Sequence, residues 1–276
     1  MKIAVITGAS SGIGREFALL LDRLQCVNEI WLIARRQPNL ESLAGRLQTK
    51  ARILPYDLTE NRYLADYKKL LAEQNAEVDF LINCAGFGKF GSVSSQNDSD
   101  IDDMIRLNVT ATVMMCKYTL PYMLCGGKII NMSSVTGWVP LPYFNVYAAT
   151  KAFVYHFSKS LGVETSRYGV SVTAVCPYWM NTEFIPIARD TRQGDAVNRF
   201  FLLYHPAPVA AQALADAVMG KTESLYGVAK WIRLAARTTP TGWSMKIWNH
   251  ARKTKSSACT PAGKLSAAEE NYIISL

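Results

Sequence analysis

Short apolar runs alternate along the chain with longer stretches in which apolar positions recur every three or four residues. The runs at 2–7, 29–34, 52–56, 78–84, 128–132 and 170–176 are continuous rather than alternating, as strands buried on both faces require. Helical spacing is clearest where Phe17, Leu20, Leu21 and Leu24 share one face, and it recurs at 40–49, 60–74, 101–124, 145–167 and 208–220. A short run at 224–228 closes the series. Strands alternating with helices over residues 2–228 predict one α/β domain, a doubly wound parallel sheet of about seven strands with helices on both faces.

The pattern loosens in two places. Residues 183–206 mix Phe184, Ile185, Ile187, Phe200, Phe201 and Tyr204 with proline, glycine and charge, and such an insertion at the ligand end of a sheet is expected to act as a substrate lid. Beyond 228 a basic amphipathic extension runs to 255. Leu225, Val228, Ile232 and Ala235 fall on one helical face, and past Pro240 come Trp243, Ile247 and Trp248 among Lys246, Arg252 and Lys253. A polar tail, 256–276, follows.

The first strand leads straight into Gly8-Ala9-Ser10-Ser11-Gly12-Ile13-Gly14 and then a helix. Glycines in that context let a pyrophosphate approach the amide N–H groups of a helix N-terminus, so Gly8, Ser10, Gly12, Ile13 and Gly14 are candidates for dinucleotide binding in a Rossmann-type fold. The second strand ends at Arg35 and Arg36. An acidic residue there would accept bonds from a ribose 2′-hydroxyl, whereas arginine suits a 2′-phosphate, so NADP(H) is expected ahead of NAD(H). The plainer alternative is a pair of solvated arginines at a helix start. Asp57, at the exit of the third strand, either caps the next helix, a role Thr59 could share, or lies near an adenine. The fourth strand exits through Asn83, Cys84, Ala85 and Gly86, where small residues suit close approach of backbone to a cofactor. Asn108 stands inside a predicted helix although Asn is a poor helix former.

The densest chemistry lies between 131 and 151. Ser134 follows the 128–132 strand at its carboxyl end, where open α/β sheets bind ligands. Tyr147 and Lys151 stand four apart on a helix, one turn apart on one face. A fixed ammonium favours the ionised form of a phenol whose ordinary pKa is about 10, and so moves it toward acid/base work.

Composition adds bounds. The chain has 276 residues, 49% of them apolar, enough for one large core. Its six cysteines show no C-x-x-C spacing, which points to reduced thiols and no metal, and no apolar stretch approaches the roughly 18 residues of a spanning helix. A cytoplasmic protein is expected. The net charge of +8 is concentrated late, with eight Lys/Arg and one acidic residue between Lys221 and Lys255. Either this stretch makes peripheral membrane contact through 225–255, as basic helices bearing tryptophan can, or it packs over the substrate pocket or a neighbouring subunit. Nucleic acid is not expected, because only this segment would favour it.

With these residues in place the chain resembles the short-chain dehydrogenase/reductase family over roughly residues 2–228. Thr7-Gly8-x-x-x-Gly12-x-Gly14 is similar to that family's cofactor turn, Asn83-Cys84-Ala85-Gly86 to its Asn-Asn-Ala-Gly strand exit, and Asn108, Ser134, Tyr147 and Lys151 to its catalytic tetrad. The resemblance implies that Tyr147 is the general acid/base, that Lys151 lowers the phenol's pKa and binds ribose hydroxyls, that Ser134 orients the substrate oxygen, and that Asn108 holds a relay water. It further implies contacts from Asp57 to adenine, from Ser10, Ile13 and Gly14 to phosphates and from Thr182 to the carboxamide, and a homodimer or homotetramer built on helices around 101–124 and 146–168. Two departures stand out: Pro177 is followed by Tyr178 where the family usually has glycine, and Cys84 replaces the second Asn.

Phe87, Trp138, Tyr143, Tyr178, Trp179 and Phe184 are the expected substrate pocket, with Phe90, Val139, Leu141 and Phe144 close by in sequence. No paired arginines stand among them to clamp a phosphate, so a hydrophobic ketone, aldehyde or secondary alcohol is expected. A non-catalytic NADP(H)-binding sensor on the same fold is the alternative, although it would have no need of an intact Asn/Ser/Tyr/Lys set. A sugar-nucleotide epimerase fits less well, because its glycines are spaced differently.

Overall fold

The computed structural model describes residues 1–193, 196, 197, 200 and 202–252; the tail 256–276, the end of the extension at 253–255 and residues 194, 195, 198, 199 and 201 of the segment expected as a lid lie outside the described residues. Strands β1 (Lys2–Thr7), β2 (Glu29–Ile33), β3 (Lys50–Leu54), β4 (Glu77–Asn83), β5 (Met123–Met132), β6 (Ser171–Val175) and β7 (Glu223–Ser224) form one parallel sheet in the order β3-β2-β1-β4-β5-β6-β7. The expected doubly wound fold is what forms.

Alternation along each strand divides the core between the two faces. Ala4, Ile6, Ile30 and Leu32 pack under α1 (Gly12–Leu24), α2 (Gln37–Ala44) and α8 (Pro206–Val218). Ile3, Val5, Trp31 and Ile33 face α3 (Asn61–Gln74), α5 (Thr112–Thr119) and the distal half of α6 (Asn145–Ser166). Phe17, Trp31 and Tyr67 are fully buried, and each large apolar side chain removed from water in this way contributes about 1.5–3 kcal/mol. Strand order reverses at β1, between β2 and β4, which opens a crevice at the carboxyl ends of β1 and β4.

The helix expected at 101–124 is not continuous. It begins as α4 (Asp98–Ile105), widens into a six-residue π turn (Arg106–Ala111), resumes as α5 and breaks at Pro121 in the short turn Leu120–Tyr122. Residues 123 and 124 belong to β5, in which Met123 pairs with Val78 before a register shift brings Lys128 opposite Phe80. That shift follows Gly126, whose φ of +96° suits glycine alone. The run at 224–228 supplies only the two residues of β7, and the chain then enters α9 (Ala229–Thr238) and α10 (Thr241–Arg252).

Candidate active site

A cleft of about 920 Å³ runs from the glycine turn after β1, past the ends of β4 and β5, to α9 and α10. Its cofactor end is built for close backbone approach. Gly8, with φ +66°, lies so near the β4 exit that a Cβ there would stand 2.8 Å from the Ala85 amide nitrogen. Gly86 is as constrained, since its Cβ would meet Asn108 Oδ1 at 2.8 Å and Lys151 Nζ at 3.3 Å. Ser10, Gly12, Ile13, Gly14, Asp57, Ala85, Pro177 and Thr182 all line this part of the cleft, as expected. A flat, Cβ-free floor beside the N-terminus of α1 fits a dinucleotide.

Both arginines reach the cleft, and each faces a carboxylate. Arg35 Nη1 lies 3.9 Å from Asp57 Oδ2. Arg36 donates to Glu183 and, at 3.3 Å, to Ser10 Oγ. Asp57 also accepts from the Thr59 amide and hydroxyl at 3.0 and 2.8 Å, so it stabilises its own turn and caps no helix; Glu60 is the residue that precedes α3.

Ser134, Tyr147 and Lys151 are all buried. Tyr147, on the first turn of α6, stacks on Phe144 with ring centroids 4.4 Å apart and meets Phe184, the first residue of α7 (Phe184–Arg189), at 5.2 Å. Burial pushes its phenol above its ordinary pKa, opposed by a hydrogen bond with the Ser134 side chain. Ser134 leaves β5 in extended conformation and opens a short turn in which its Oγ accepts from the Thr136 amide at 3.2 Å. One helical turn beyond Tyr147, Lys151 Nζ donates to the Met132 carbonyl at 2.8 Å and lies 5.6 Å from the Tyr147 ring centroid. Burial lowers the Lys151 ammonium to about 8, with Cys84 and Cys176 pulling the other way. The expected depression of the phenol by Lys151 therefore gives way to desolvation here, because the ammonium is turned toward the end of β5.

Asn108 lies within the π turn. Its Nδ2 donates to Phe87 O at 2.9 Å and to Thr150 Oγ1 at 3.0 Å, and its Oδ1 accepts from the Phe87 amide at 3.1 Å. These bonds lock the β4 exit to α6.

Asn108 stands behind the cleft lining, and three further expected site residues lie elsewhere. Asn83 is buried within the sheet, where its Nδ2 donates to Asn131 Oδ1 at 2.9 Å, and Asn131 in turn donates to Ser158; the chain of amides joins β4, β5 and α6 and does not reach the cleft. Trp138 follows the Ser134 turn away from the cleft and packs edge-on against Tyr155 with Arg233 over its face. Tyr143 is held at φ +64°, its ring covered by the Arg252 guanidinium 3.5 Å away, outside the cleft wall. Phe90 and Phe144 are fully buried core.

Phe87, Tyr178, Trp179 and Phe184 line the other end of the cleft, together with Val139, Leu141 and Ile187. The rest of the wall comes from the C-terminal extension, for which packing over the pocket is one of the readings of the sequence. Ile232, Ala236, Thr239, Ser244 and Trp248 cover the cleft from α9 and α10, and Trp248 is pinned by a 2.9 Å bond from Nε1 to Pro142 O and by stacking 6.5 Å from Trp179. The extension thus packs over the pocket with its inward face. Asp100 and Asp103 of α4 also line the cleft, as does Lys89, which is nearly buried and donates to Asp190 O at 2.9 Å. Lys89 carried no signal in the sequence beyond a single charge in a glycine and phenylalanine loop.

Among known proteins, the family model described as short chain dehydrogenase matches residues 2–193. An uncharacterised oxidoreductase of Staphylococcus epidermidis is 33% identical over 220 residues, covering 79% of this chain and 89% of the relative. Two solved structures are similar throughout: a short-chain dehydrogenase from Sphingobium yanoikuyae in complex with NADPH (27% identity, TM-score 0.74, 95% of this chain and 100% of that one), and the bulky-bulky ketone specific alcohol dehydrogenase from Comamonas testosteroni (25% identity, TM-score 0.70, 94% and 97%).

Proposed function

The chain belongs to the short-chain dehydrogenase family, oxidoreductases that act between CH–OH and C=O groups with a nicotinamide cofactor, and from that premise we propose that it interconverts a hydrophobic ketone or aldehyde and its alcohol with NADP(H), using Tyr147 as general acid/base. The observation that carries this reading is the continuity of one cleft from the glycine turn to the buried Ser134, Tyr147 and Lys151. The cofactor, when bound, supplies the hydride.

In reduction Tyr147 gives its proton to the substrate oxygen, and the raised pKa keeps the phenol protonated for that step. Ser134 orients the same oxygen by donating from a hydroxyl already beside the phenol. Lys151 binds the nicotinamide ribose and supplies positive charge when the phenol loses its proton. Asn108 positions these groups by fixing the Phe87 loop against α6. At the far end Arg35 and Arg36 favour a 2′-phosphate, and the NADPH held by the Sphingobium yanoikuyae enzyme supports the same preference.

The apolar wall of Phe87, Val139, Leu141, Trp179, Ile187 and Trp248 favours an apolar substrate, and the Comamonas testosteroni enzyme's specificity for bulky-bulky ketones is consistent with a pocket of this width. Phe153 and Val163 on α6, with Ile105 on α4, are exposed apolar residues suited to a homodimer or homotetramer. NADPH oxidation against hydrophobic ketones, aldehydes and quinones, with NADH alongside, tests the reading. Turnover should prefer NADPH and fall by roughly 10²–10⁴ in Tyr147→Phe with NADPH binding retained; turnover unaffected by that change would refute the assignment.

A further inference from the structure

Helices α9 and α10 are apolar on two sides. Ile232, Ala236 and Trp248 turn inward to the cleft, while Trp231, Leu234 and Ala235 make an exposed stripe on α9 and Trp243 and Ile247 a second on α10. These outward side chains are well exposed: Trp231 73%, Trp243 65%, Ile247 65% and Leu234 55%. Among the described residues no helix is long and apolar enough to cross a membrane.

The charge around the stripes is of one sign. Between Ser224 and Arg252 the chain carries five cations and no carboxylate. Arg233 is paired with Glu223 at 3.1 Å and Arg252 lies against Tyr143, which leaves Lys230, Arg237 and Lys246 exposed beside the outward tryptophans. A second copy docked on this face would set like charges against each other with no acid between them. A nucleic acid would meet the cations but offer no apolar depth for the two indoles. A bilayer with anionic headgroups satisfies both requirements, since indoles rest at the headgroup boundary and cations pair with the lipid charge. Ala235 and Ile247 belong at once to this outer face and to the cleft lining, so the cleft opens on the same side.

We propose that helices α9 and α10 seat the protein on an anionic bilayer, with Trp231 and Trp243 in the headgroup layer and the mouth of the cleft turned to the lipid. The cleft-mouth part of this rests on the hydride-transfer reading; the seating does not.

The test is co-sedimentation of the full chain with phosphatidylcholine vesicles containing or lacking phosphatidylglycerol, read with tryptophan quenching by brominated lipid. Binding should require phosphatidylglycerol, weaken with salt, and fall about tenfold or more both in Trp231→Ser/Trp243→Ser and in Lys230→Glu/Lys246→Glu. Affinity for 2′,5′-ADP should be unchanged in both, which shows the variants to be folded. Absence of binding at low salt, or binding by both variants equal to that of the wild type, would overturn the proposal. A fall in oligomeric mass in the tryptophan variant without a change in vesicle binding would overturn it too, by assigning the face to a subunit contact. Vesicle binding needs no substrate, so the seating stands or falls independently of whether turnover is found.

Discussion

The guanidinium of Arg36 is held by the carboxylate of Glu183, 147 residues further along the chain, through bonds of 3.2 and 2.5 Å. The pair ties the exit of β2 to the residue before α7 and so crosses the cleft at the end where a 2′-phosphate would lie. The bond from Arg36 is the chief reason that the Glu183 carboxyl sits below its usual range. A phosphate that engages Arg36 has to displace that carboxylate. Glu183→Gln should therefore tighten binding of 2′,5′-ADP severalfold and leave 5′-AMP unchanged, while Arg36→Ala should weaken 2′,5′-ADP roughly tenfold. Isothermal titration with the two nucleotides reads both, and equal 2′,5′-ADP affinities in wild type and Glu183→Gln would contradict the competition.

Lys151 carries an opposed pair of consequences for pH. Its ammonium is lowered from 10.5 to about 8 by burial, so the charge is progressively lost as pH rises through 8 in the free enzyme. kcat/KM, which reports free-enzyme groups, should fall on that alkaline limb. Stability should move the other way: between about 8 and 10.5 the unfolded chain binds the proton that the folded chain has lost, so the free energy of unfolding rises with pH. Lys151→Met should accordingly raise Tm near neutral pH while abolishing turnover. A lower Tm in that variant would show that the buried charge is compensated.

Asn108→Ala removes three bonds and leaves the Phe87 amide and the Phe87 carbonyl without their partner, while the Thr150 hydroxyl keeps its bond to Tyr147 O at 2.7 Å. Buried groups left unpaired cost about 1–3 kcal/mol each when water cannot reach them. Denaturant titration should show a loss of at least about 2 kcal/mol. Its effect on kcat should exceed its effect on NADPH affinity, since the loop it holds borders the reacting end. A variant of unchanged stability would mean that water replaces the amide.

Trp248 closes the cleft through its bond to Pro142 O and its stacking on Trp179. Trp248→Ala should raise KM for apolar carbonyl compounds several-fold and admit bulkier ones, with 2′,5′-ADP affinity unaltered. Initial rates over a series of ketones of increasing width would show whether the size limit moves.

The sheet, the glycine turn and the Ser134, Tyr147 and Lys151 set were legible in the chain because each follows from local pattern: continuous apolar runs, glycines at a strand exit, a four-residue helical spacing. What escaped was set by tertiary packing. Trp138 and Tyr143 sit in the same aromatic segment as the pocket residues, and only the partners Tyr155, Arg233 and Arg252, from α6, α9 and α10, decide that their rings turn elsewhere. Asn83 looked like a cofactor contact because of its neighbours, yet its partner Asn131 lies on the adjacent strand. The break in the 101–124 helix was half visible, in the poor helix former Asn108, but not the register it produces.

That register has a meaning for how the gene can change. A π turn accommodates one residue beyond the α-helical count, and each residue of an α-helix rotates the next by about 100°. Removing any single residue of Arg106–Ala111 other than Asn108 would let α4 and α5 merge into regular helix and swing Asn108 off its line to Phe87 and Thr150. Every side chain of the proposed tetrad would survive in the sequence, and the enzyme would be lost to a deletion of three nucleotides in a segment that touches neither cofactor nor substrate through most of its length.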